Sequence, residues 1–171
     1  MTEELLNQAR SAQEAARILK TCSSSQKDQA LTAMAQALRE RQEEILAANK
    51  LDLEQGKEQG LGSALLDRLA LSEERLCGIA TGLDELAALP DPIGEVSGMW
   101  KRPNGLEVGL VQVPLGVVAM IYEARPNVTA DAAGLCLKAG NAVVLRGGSE
   151  AIRSNLAIGK VISEAACEAG L

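Results

Sequence analysis

The sequence predicts an α/β protein in three parts: N-terminal helices over residues 1–93, a β-ribbon over 94–113, and the start of a doubly wound parallel sheet over 114–171. Three observations predict this architecture. Apolar residues first recur with helical spacing, turn residues then separate two short β-prone segments, and two continuous apolar runs finally alternate with helical patterns. We expect the helices to pack on the sheet domain.

The first helix is predicted from Glu3 to Leu19 because its apolar positions advance by four, three, four and three residues and so share one face. These positions are Leu5, Ala9, Ala12, Ala16 and Leu19. A cluster of serines at residues 23–25 ends this helix.

A second, long helix is predicted to continue toward Asp52, since Ser25 and Asp28 have the spacing of a capping pattern. Glycines after Leu53 interrupt it. A short segment, Ala64–Leu69, precedes a third helix, which is capped by Ser72 and stopped by prolines at 90 and 92. Its inward face is Leu76, Ile79, Leu83 and Leu86.

The β-ribbon is predicted from two β-prone runs, Val96–Lys101 and Leu106–Val113. The connection contains Asn104-Gly105, a strong hairpin signal because both residues tolerate positive φ.

The sheet begins with Val117–Tyr122, a continuous apolar run typical of a strand covered on both faces. A helix over 127–139 with Gly140 as terminator, a strand Ala142–Leu145 and a helix from about Ser154 complete a strand–helix–strand–helix unit. Because the sequence stops where a third strand is expected, we expect a truncated sheet, in a fragment or a chain completed by another chain.

Composition excludes several function classes. Without histidine, the chain has no imidazole base, His metal ligand or imidazole pH switch. A net charge of −6 argues against a nucleic-acid or anionic-membrane surface. The four cysteines lack close metal-ligand spacing, so we expect reduced thiols and no metal site. Without a signal or membrane-spanning segment, a cytoplasmic location is expected.

Two loops follow the predicted strands, where open α/β sheets bind ligands. The first loop, Tyr122–Thr129, predicts an anion or oxyanion site, formed by the backbone amides of the helix start together with Arg125 and Asn127. The alternative is that Glu123 and Arg125 form a surface ion pair and that Asn127 is a simple helix cap. In Arg146–Glu150, a cation, two glycines and a serine suit a phosphate or ribose, although an ordinary glycine-rich connection is at least as frequent.

These same segments resemble the aldehyde dehydrogenase superfamily, through Pro114-Leu115-Gly116-Val117-Val118 and Leu137 to Leu145. The loops Tyr122–Thr129 and Arg146–Ala151 resemble, more narrowly, the γ-glutamyl phosphate reductase (glutamate-5-semialdehyde dehydrogenase) family. The opening helices fit the same family through residues 48–53 and 65–69. The resemblance implies a Rossmann-like cofactor domain and covers essentially the whole chain.

The resemblance implies NADPH-dependent reduction of L-glutamyl 5-phosphate to L-glutamate 5-semialdehyde with release of phosphate, in proline biosynthesis. A cysteine thioester is the intermediate. The family's nucleophilic cysteine lies in a later catalytic domain, and no cysteine here matches its motif. We therefore expect this chain to be the N-terminal part of the enzyme and to be inactive alone.

The resemblance also assigns residues. Arg146 matches a basic residue that reaches the adenosine ribose, and Gly147 and Gly148 belong to the same cofactor loop. Ser149 matches a position where a small hydroxylated residue leaves room for the 2′-phosphate, which favours NADP(H). Asn127 is a candidate oxyanion donor, and Glu123 and Arg125 are candidate ligands of the substrate. The ribbon resembles oligomerisation strands, which implies a homo-oligomer.

Two other functions stay open from the sequence. One is another member of the superfamily, CoA-acylating or semialdehyde-oxidising. The other is a non-catalytic nucleotide-binding or interaction module. Acyl acceptor preference and cofactor binding distinguish these three hypotheses.

Overall fold

The computed structural model describes residues 3–171, which form seven α-helices and four β-strands. Their order is α1 (Glu3–Leu19), α2 (Ser24–Glu40), α3 (Gln42–Glu58), α4 (Ser63–Leu69), α5 (Glu73–Ala88), β1 (Val96–Lys101), β2 (Glu107–Val111), β3 (Val117–Ile121), α6 (Asn127–Lys138), β4 (Ala142–Arg146) and α7 (Ile152–Glu168). A 3₁₀ turn, Ser149–Ala151, precedes α7.

The hydrophobic core forms where α2 packs between α5 and α7, with α6 packed against α5. The inward face predicted for the third helix is confirmed for Leu76, Ile79 and Leu83, which are buried, whereas Leu86 is half-buried. Small residues allow close helix packing: a Cβ on Gly134 of α6 would press on Leu83 at 2.5 Å. The core is therefore built mainly by helices that precede and flank the parallel strands.

The second predicted helix was wrong in two details. The helix is capped by Ser23, whose hydroxyl accepts from the Gln26 backbone amide while the Gln26 side chain accepts from the Ser23 amide. This reciprocal pair is a capping box, and it begins two residues before the predicted Ser25. The helix also breaks at Arg41, whose backbone leaves the helical region (φ −106°, ψ 23°). The Arg41 guanidinium pairs with Glu44 three residues later and with Glu164 of α7. Local periodicity does not report the second, long-range contact.

Helix α1 has the predicted bounds but a more open face than predicted. Only Ala16 is buried, and Leu5 is 46 % exposed. The helix lies against β4 and β3, with an open groove beside it, so its apolar face is only partly covered within the described residues.

Strands β1 and β2 confirm the ribbon, although β2 is shorter than the predicted segment. They pair antiparallel, with an irregularity between Val96 and Gly98. The turn differs from the expected Asn-Gly geometry, because only Gly105 has a positive φ (+87°). The Gly105 amide donates to the Arg102 carbonyl at 2.9 Å. The four-residue turn is therefore 102–105, with Asn104 and Gly105 as its third and fourth residues.

Strands β3 and β4 pair in parallel, from Val117 opposite Ala142 to Ile121 opposite Arg146. Gly140 terminates α6 as predicted, with φ +67° and an amide that donates to Leu137 at 2.9 Å. The prediction that β3 is covered on both faces was wrong for residues 3–171, since Ile121 is 74 % exposed. Within the described residues, helices cover the two strands only in part, so apolar side chains such as Ile121 are exposed to solvent.

A buried cluster of charged groups fixes the segment that leads into the ribbon. The Lys27 ammonium pairs with Asp91 at 2.5 Å and donates to the Lys138 carbonyl at 3.1 Å. The Lys138 ammonium pairs with Asp28 at 2.6 Å and donates to the Ala87 carbonyl. Burial opposes the charged form of Asp91, but hydrogen bonds from Lys27 and its neighbours outweigh burial and hold the pKa of Asp91 below its usual value.

This cluster predicts a loss of stability in acid. Because the pKa of Asp91 is lower in the folded chain, its contribution is present above the unfolded pKa of about 3.9 and is lost as pH falls through the folded pKa. We expect Asp91→Asn to destabilise the chain by about 2 kcal/mol at pH 7 and by progressively less below pH 4. Urea unfolding between pH 3 and 7 measures this, with exposed Glu85→Gln as the control. A constant difference between wild type and Asp91→Asn would contradict it.

Candidate active site

The ends of β3 and β4 bring the two predicted loops together. Because the strands are parallel and in register, both carboxyl ends lie at one edge of the sheet. The Tyr122 amide donates to the Arg146 carbonyl at 3.1 Å and extends the pairing one step beyond the strands. The loops that follow Ile121 and Arg146 are thus neighbours.

A chain of hydrogen bonds fastens the first loop to the helices α6 and α7 behind it. The Thr129 hydroxyl of α6 donates to the Asn155 side-chain oxygen of α7 at 3.1 Å, and it lies 2.7 Å from the Tyr122 hydroxyl. Since the Thr129 hydroxyl has one hydrogen, the Tyr122 hydroxyl is the donor to it. Thr129 and Asn155 are buried, so this chain holds the first loop, α6 and α7 in a fixed relation.

Gly147 is required by packing as well as by any ligand. A Cβ at this position would collide with the Asn155 amide nitrogen and crowd the Tyr122 ring at 3.2 Å. Gly148 is less constrained, because the nearest atoms that a Cβ there would meet belong to the movable carboxylate of Glu150. Neither glycine has a positive φ. At Gly147, the absence of a side chain therefore makes room for the Asn155 side chain.

The second loop offers groups suited to a dinucleotide cofactor. Arg146 is exposed and, among residues 3–171, its guanidinium has no ion pair or hydrogen bond. The Ser149 hydroxyl is exposed and lies 3.5 Å from the Glu150 carboxylate. Beneath the loop, the Asn155 amide nitrogen is buried without a partner in the described structure. An unpaired cation and an exposed hydroxyl at the surface of the loop fit the anionic and hydroxyl groups of such a cofactor.

The start of α7 is held by α3. The buried Asp52 carboxylate accepts from the Ser154 amide at 2.8 Å and hydroxyl at 2.7 Å, and from the Arg153 amide at 3.3 Å. Asn49, also buried, donates to the Ser154 hydroxyl at 3.0 Å and to the Leu69 carbonyl. No role in a site was predicted for residues 48–53; the structure shows that Asn49 and Asp52 position the start of the helix behind the second loop.

The side chains of the three predicted site residues of the first loop form no hydrogen bond with one another in the described structure. Glu123 and Arg125 are both exposed and, in the described part of the chain, they form no ion pair. Asn127 is not a helix cap, because its side-chain amide donates to Asp131 at 3.0 Å. The Val128 and Thr129 amides donate to preceding carbonyls, so the expected anion site of free helix-start amides is smaller than predicted.

An open cavity of about 460 Å³ lies beside this loop and receives Arg125 and Asn127. Charged residues of earlier helices complete its wall, and these the sequence did not single out as site residues: Asp67, Arg68, Arg75 and Asp131. The Asp131 carboxyl faces the cavity, yet the surrounding protein withdraws it from bulk water enough to raise its pKa, which the Asn127 hydrogen bond only partly offsets. Its signal in the sequence was its position one helical turn after Asn127.

The cysteines do not supply a nucleophile at this site. Cys136 is buried in α6, and burial raises the pKa of its thiol. None of the four cysteines lines the cavity beside Arg125. In the region that the structure describes, no cluster of three or more metal-ligating side chains occurs. Over the same residues, no helix combines the length and apolar character needed to cross a membrane.

A larger groove of about 1140 Å³ is lined by residues of α1, β4 and α7. It is lined mainly by apolar side chains and lies along the strands rather than at their carboxyl ends. It receives none of the predicted site residues, so we place the candidate site at the strand ends.

Comparison with known proteins gives consistent matches. The aldehyde dehydrogenase family model matches residues 1–171. A γ-glutamyl phosphate reductase of Moorella thermoacetica is 64 % identical over 98 % of this chain and 40 % of its own length. The corresponding protein of Clostridium tetani is 54 % identical over all of this chain and 40 % of its own length.

Solved structures agree. The crystal structure of γ-glutamyl phosphate reductase from Thermotoga maritima matches with a TM-score of 0.94 and 42 % identity, covering 97 % of this chain and 40 % of that one. The Saccharomyces cerevisiae protein matches with a TM-score of 0.89 and 34 % identity, covering 94 % and 41 %. The chain thus spans about 40 % of the length of the relatives it matches.

Proposed function

Since the chain belongs to the aldehyde dehydrogenase family, we propose that it forms part of an enzyme that reduces L-glutamyl 5-phosphate to L-glutamate 5-semialdehyde with NADPH and releases phosphate, a step of proline biosynthesis. The observation that carries the proposal is 64 % identity over 98 % of the chain to a γ-glutamyl phosphate reductase. Because the chain spans 40 % of that relative, the activity is proposed for the complete gene product that contains these residues.

In this proposal the second loop holds NADP(H), which supplies hydride when bound. Arg146 binds the adenosine ribose, the Gly147 and Gly148 backbone borders the cofactor, and Ser149 leaves room for the 2′-phosphate. The partner-free Arg146 guanidinium and the exposed Ser149 hydroxyl support these assignments. The Tyr122–Thr129–Asn155 chain keeps the first loop, α6 and α7 in a fixed relation beside the second loop.

The first loop and the cavity beside it hold the acyl phosphate. Arg125 binds an anionic group of the substrate, with Glu123 nearby in the chain, and Asn127 donates to the oxyanion that develops on the reacting carbonyl. The Asn127 amide nitrogen has two hydrogens and spends one on Asp131, so one remains for this role. We place the nucleophilic cysteine outside these 171 residues, because no cysteine of the chain lines this cavity.

The reverse reaction tests the proposed activity. The complete gene product should reduce NADP⁺ in the presence of glutamate 5-semialdehyde only when phosphate is supplied. Activity with CoA in place of phosphate would indicate a CoA-acylating member of the family. Activity in the absence of both phosphate and CoA would indicate a semialdehyde-oxidising enzyme that hydrolyses its intermediate. Either result would overturn the proposal.

Cofactor binding separates the enzyme from a non-catalytic module. We expect Arg146→Ala to weaken NADPH binding by about 1–3 kcal/mol, or about 5- to 150-fold, because a charged hydrogen bond is lost. Calorimetry with the complete gene product measures this. Lys160→Ala, an exposed cation elsewhere on α7, is the matched control. Unchanged binding in Arg146→Ala would contradict the assigned role, and no binding at millimolar NADPH would favour the non-catalytic alternative.

Assembly and location are further parts of the proposal. The β1–β2 ribbon exposes apolar side chains, with Met99 at 68 % and Leu110 at 60 %, which supports a homo-oligomer built on this ribbon. Light scattering of the complete gene product measures its mass. A monomer at micromolar concentration would contradict the proposal. We place the enzyme in the cytoplasm, where its proposed cofactor and substrate are metabolised.

A further inference from the structure

The cavity beside Arg125 contains charged groups that the proposed reaction has not used. Arg68 lies on α4, and its guanidinium, like that of Arg125, forms no ion pair or hydrogen bond within residues 3–171. Asp131 lies on α6, where one carboxylate oxygen accepts from Asn127 and the other has no partner in the described structure. The cavity therefore offers unpaired groups of both signs.

The neighbouring Arg75 differs because its charge is already satisfied. Its guanidinium donates to the Asp67 carbonyl at 2.6 Å, to the Ala70 carbonyl at 2.7 Å and to the Asp67 carboxylate at 3.0 Å. These contacts fix the segment that connects α4 with α5. Arg75 and Asp67 are thus paired with each other, and the groups left for a ligand are Arg68, Arg125 and Asp131.

These free groups complement the amino-acid end of a ligand. An α-amino acid carries a carboxylate and an ammonium on one carbon, so its recognition needs a cation and an anion in one cavity. A guanidinium binds a carboxylate with two parallel hydrogen bonds, and a carboxylate accepts from an ammonium.

The spacing along α6 agrees with the length of a glutamyl chain. The backbones of Asn127 and Asp131 are separated by about 6 Å along the helix axis, at 1.5 Å per residue, and their side chains meet in a hydrogen bond of 3.0 Å. In an extended glutamyl group, three carbon–carbon bonds of about 1.5 Å separate the α-carbon from the reacting carbonyl carbon, a span of about 4 Å. With its carbonyl beside Asn127, the substrate reaches Asp131 with its α-amino group.

We propose that Asp131 binds the α-ammonium group and Arg68 the α-carboxylate of the substrate, so that this cavity selects an α-amino acid derivative over a simple aldehyde or acyl phosphate. This inference rests on the proposed function for the identity of the substrate. It adds two specificity residues contributed by α4 and α6, and it leaves Arg125 to the phosphate end.

Paired aldehydes test the inference in the complete gene product, with NADP⁺ and phosphate. Glutamate 5-semialdehyde carries both charged groups, and 5-oxopentanoate lacks only the α-amino group. We expect Asp131→Asn to raise KM for glutamate 5-semialdehyde about 10- to 100-fold and to leave KM for 5-oxopentanoate unchanged. Arg68→Gln should raise KM for both aldehydes, because both carry the carboxylate. Asp84→Asn on α5, whose carboxylate pairs with Arg39 outside the cavity, is the control.

The KM ratio of the two aldehydes does not depend on the fraction of enzyme that is folded, so partial misfolding of a variant does not obscure the result. An equal change in both KM values in Asp131→Asn, or no change in either, would overturn the inference while the wild-type activity leaves the proposed function intact. Failure of the wild type to use glutamate 5-semialdehyde with phosphate would instead count against the proposed function.

Discussion

Replacing Asp52 with alanine is expected to lower the free energy of unfolding by about 3–5 kcal/mol. Asp52 is 1 % exposed and accepts hydrogen bonds from two backbone amides and one hydroxyl at the start of α7. Alanine supplies no acceptor, so the buried Ser154 amide and hydroxyl lose their partner. Arg153, whose guanidinium lies 3.2 Å from Asp52, loses its ion pair.

Thermal unfolding of the chain, followed by circular dichroism, measures this effect. For a chain of this size the midpoint should fall by about 6–20 °C. Asp52→Asn keeps one acceptor oxygen, so it should lower the free energy of unfolding by less than Asp52→Ala. The matched control is Glu54→Ala, because Glu54 is an exposed carboxylate on the same helix. Equal midpoints for Asp52→Ala and Glu54→Ala would show that Asp52 does not hold α7.

The second large effect concerns cofactor choice. Ser149→Glu should weaken NADPH binding to the complete gene product about 10- to 100-fold, because the new carboxylate meets the 2′-phosphate. The same carboxylate accepts from the ribose hydroxyls of NADH, so NADH binding should strengthen and the preference should reverse. Dissociation constants for both cofactors measure the reversal.

Ser149→Thr is the matched control, since it keeps the hydroxyl and adds no charge. It should retain the preference for NADPH. If Ser149→Glu binds NADPH as tightly as the wild type, Ser149 does not border the 2′-phosphate and the cofactor assignment of this loop is wrong.

Local signals in the sequence were enough to predict most of the elements. Gly140 ends α6 with positive φ because the chain must turn sharply there into β4. The strands and the ribbon followed from short apolar runs and turn residues, and their bounds differ from the predicted ones by one or two residues. The structure departs from prediction at Arg41, where the long helix divides and the side chain pairs with Glu164 of the distant helix α7.

The site was harder to predict for the same reason. Arg125, Asn127 and Arg146 follow directly after predicted strands, so their position alone made them candidates. Arg68 and Asp131 are ordinary surface charges in the sequence, and they become site residues only because α4 and α6 meet at one cavity. Asn155 lies one turn into α7, and only its buried amide beneath Gly147 connects it with the loop.

The forward reaction tests the central claim most directly. The complete gene product is mixed with NADPH and with L-glutamyl 5-phosphate generated in place by a glutamate kinase from glutamate and ATP. The account predicts NADPH oxidation that requires kinase, ATP and glutamate together, with one semialdehyde formed per NADPH consumed. NADPH that stays reduced in this mixture, although calorimetry shows it bound, would contradict the account.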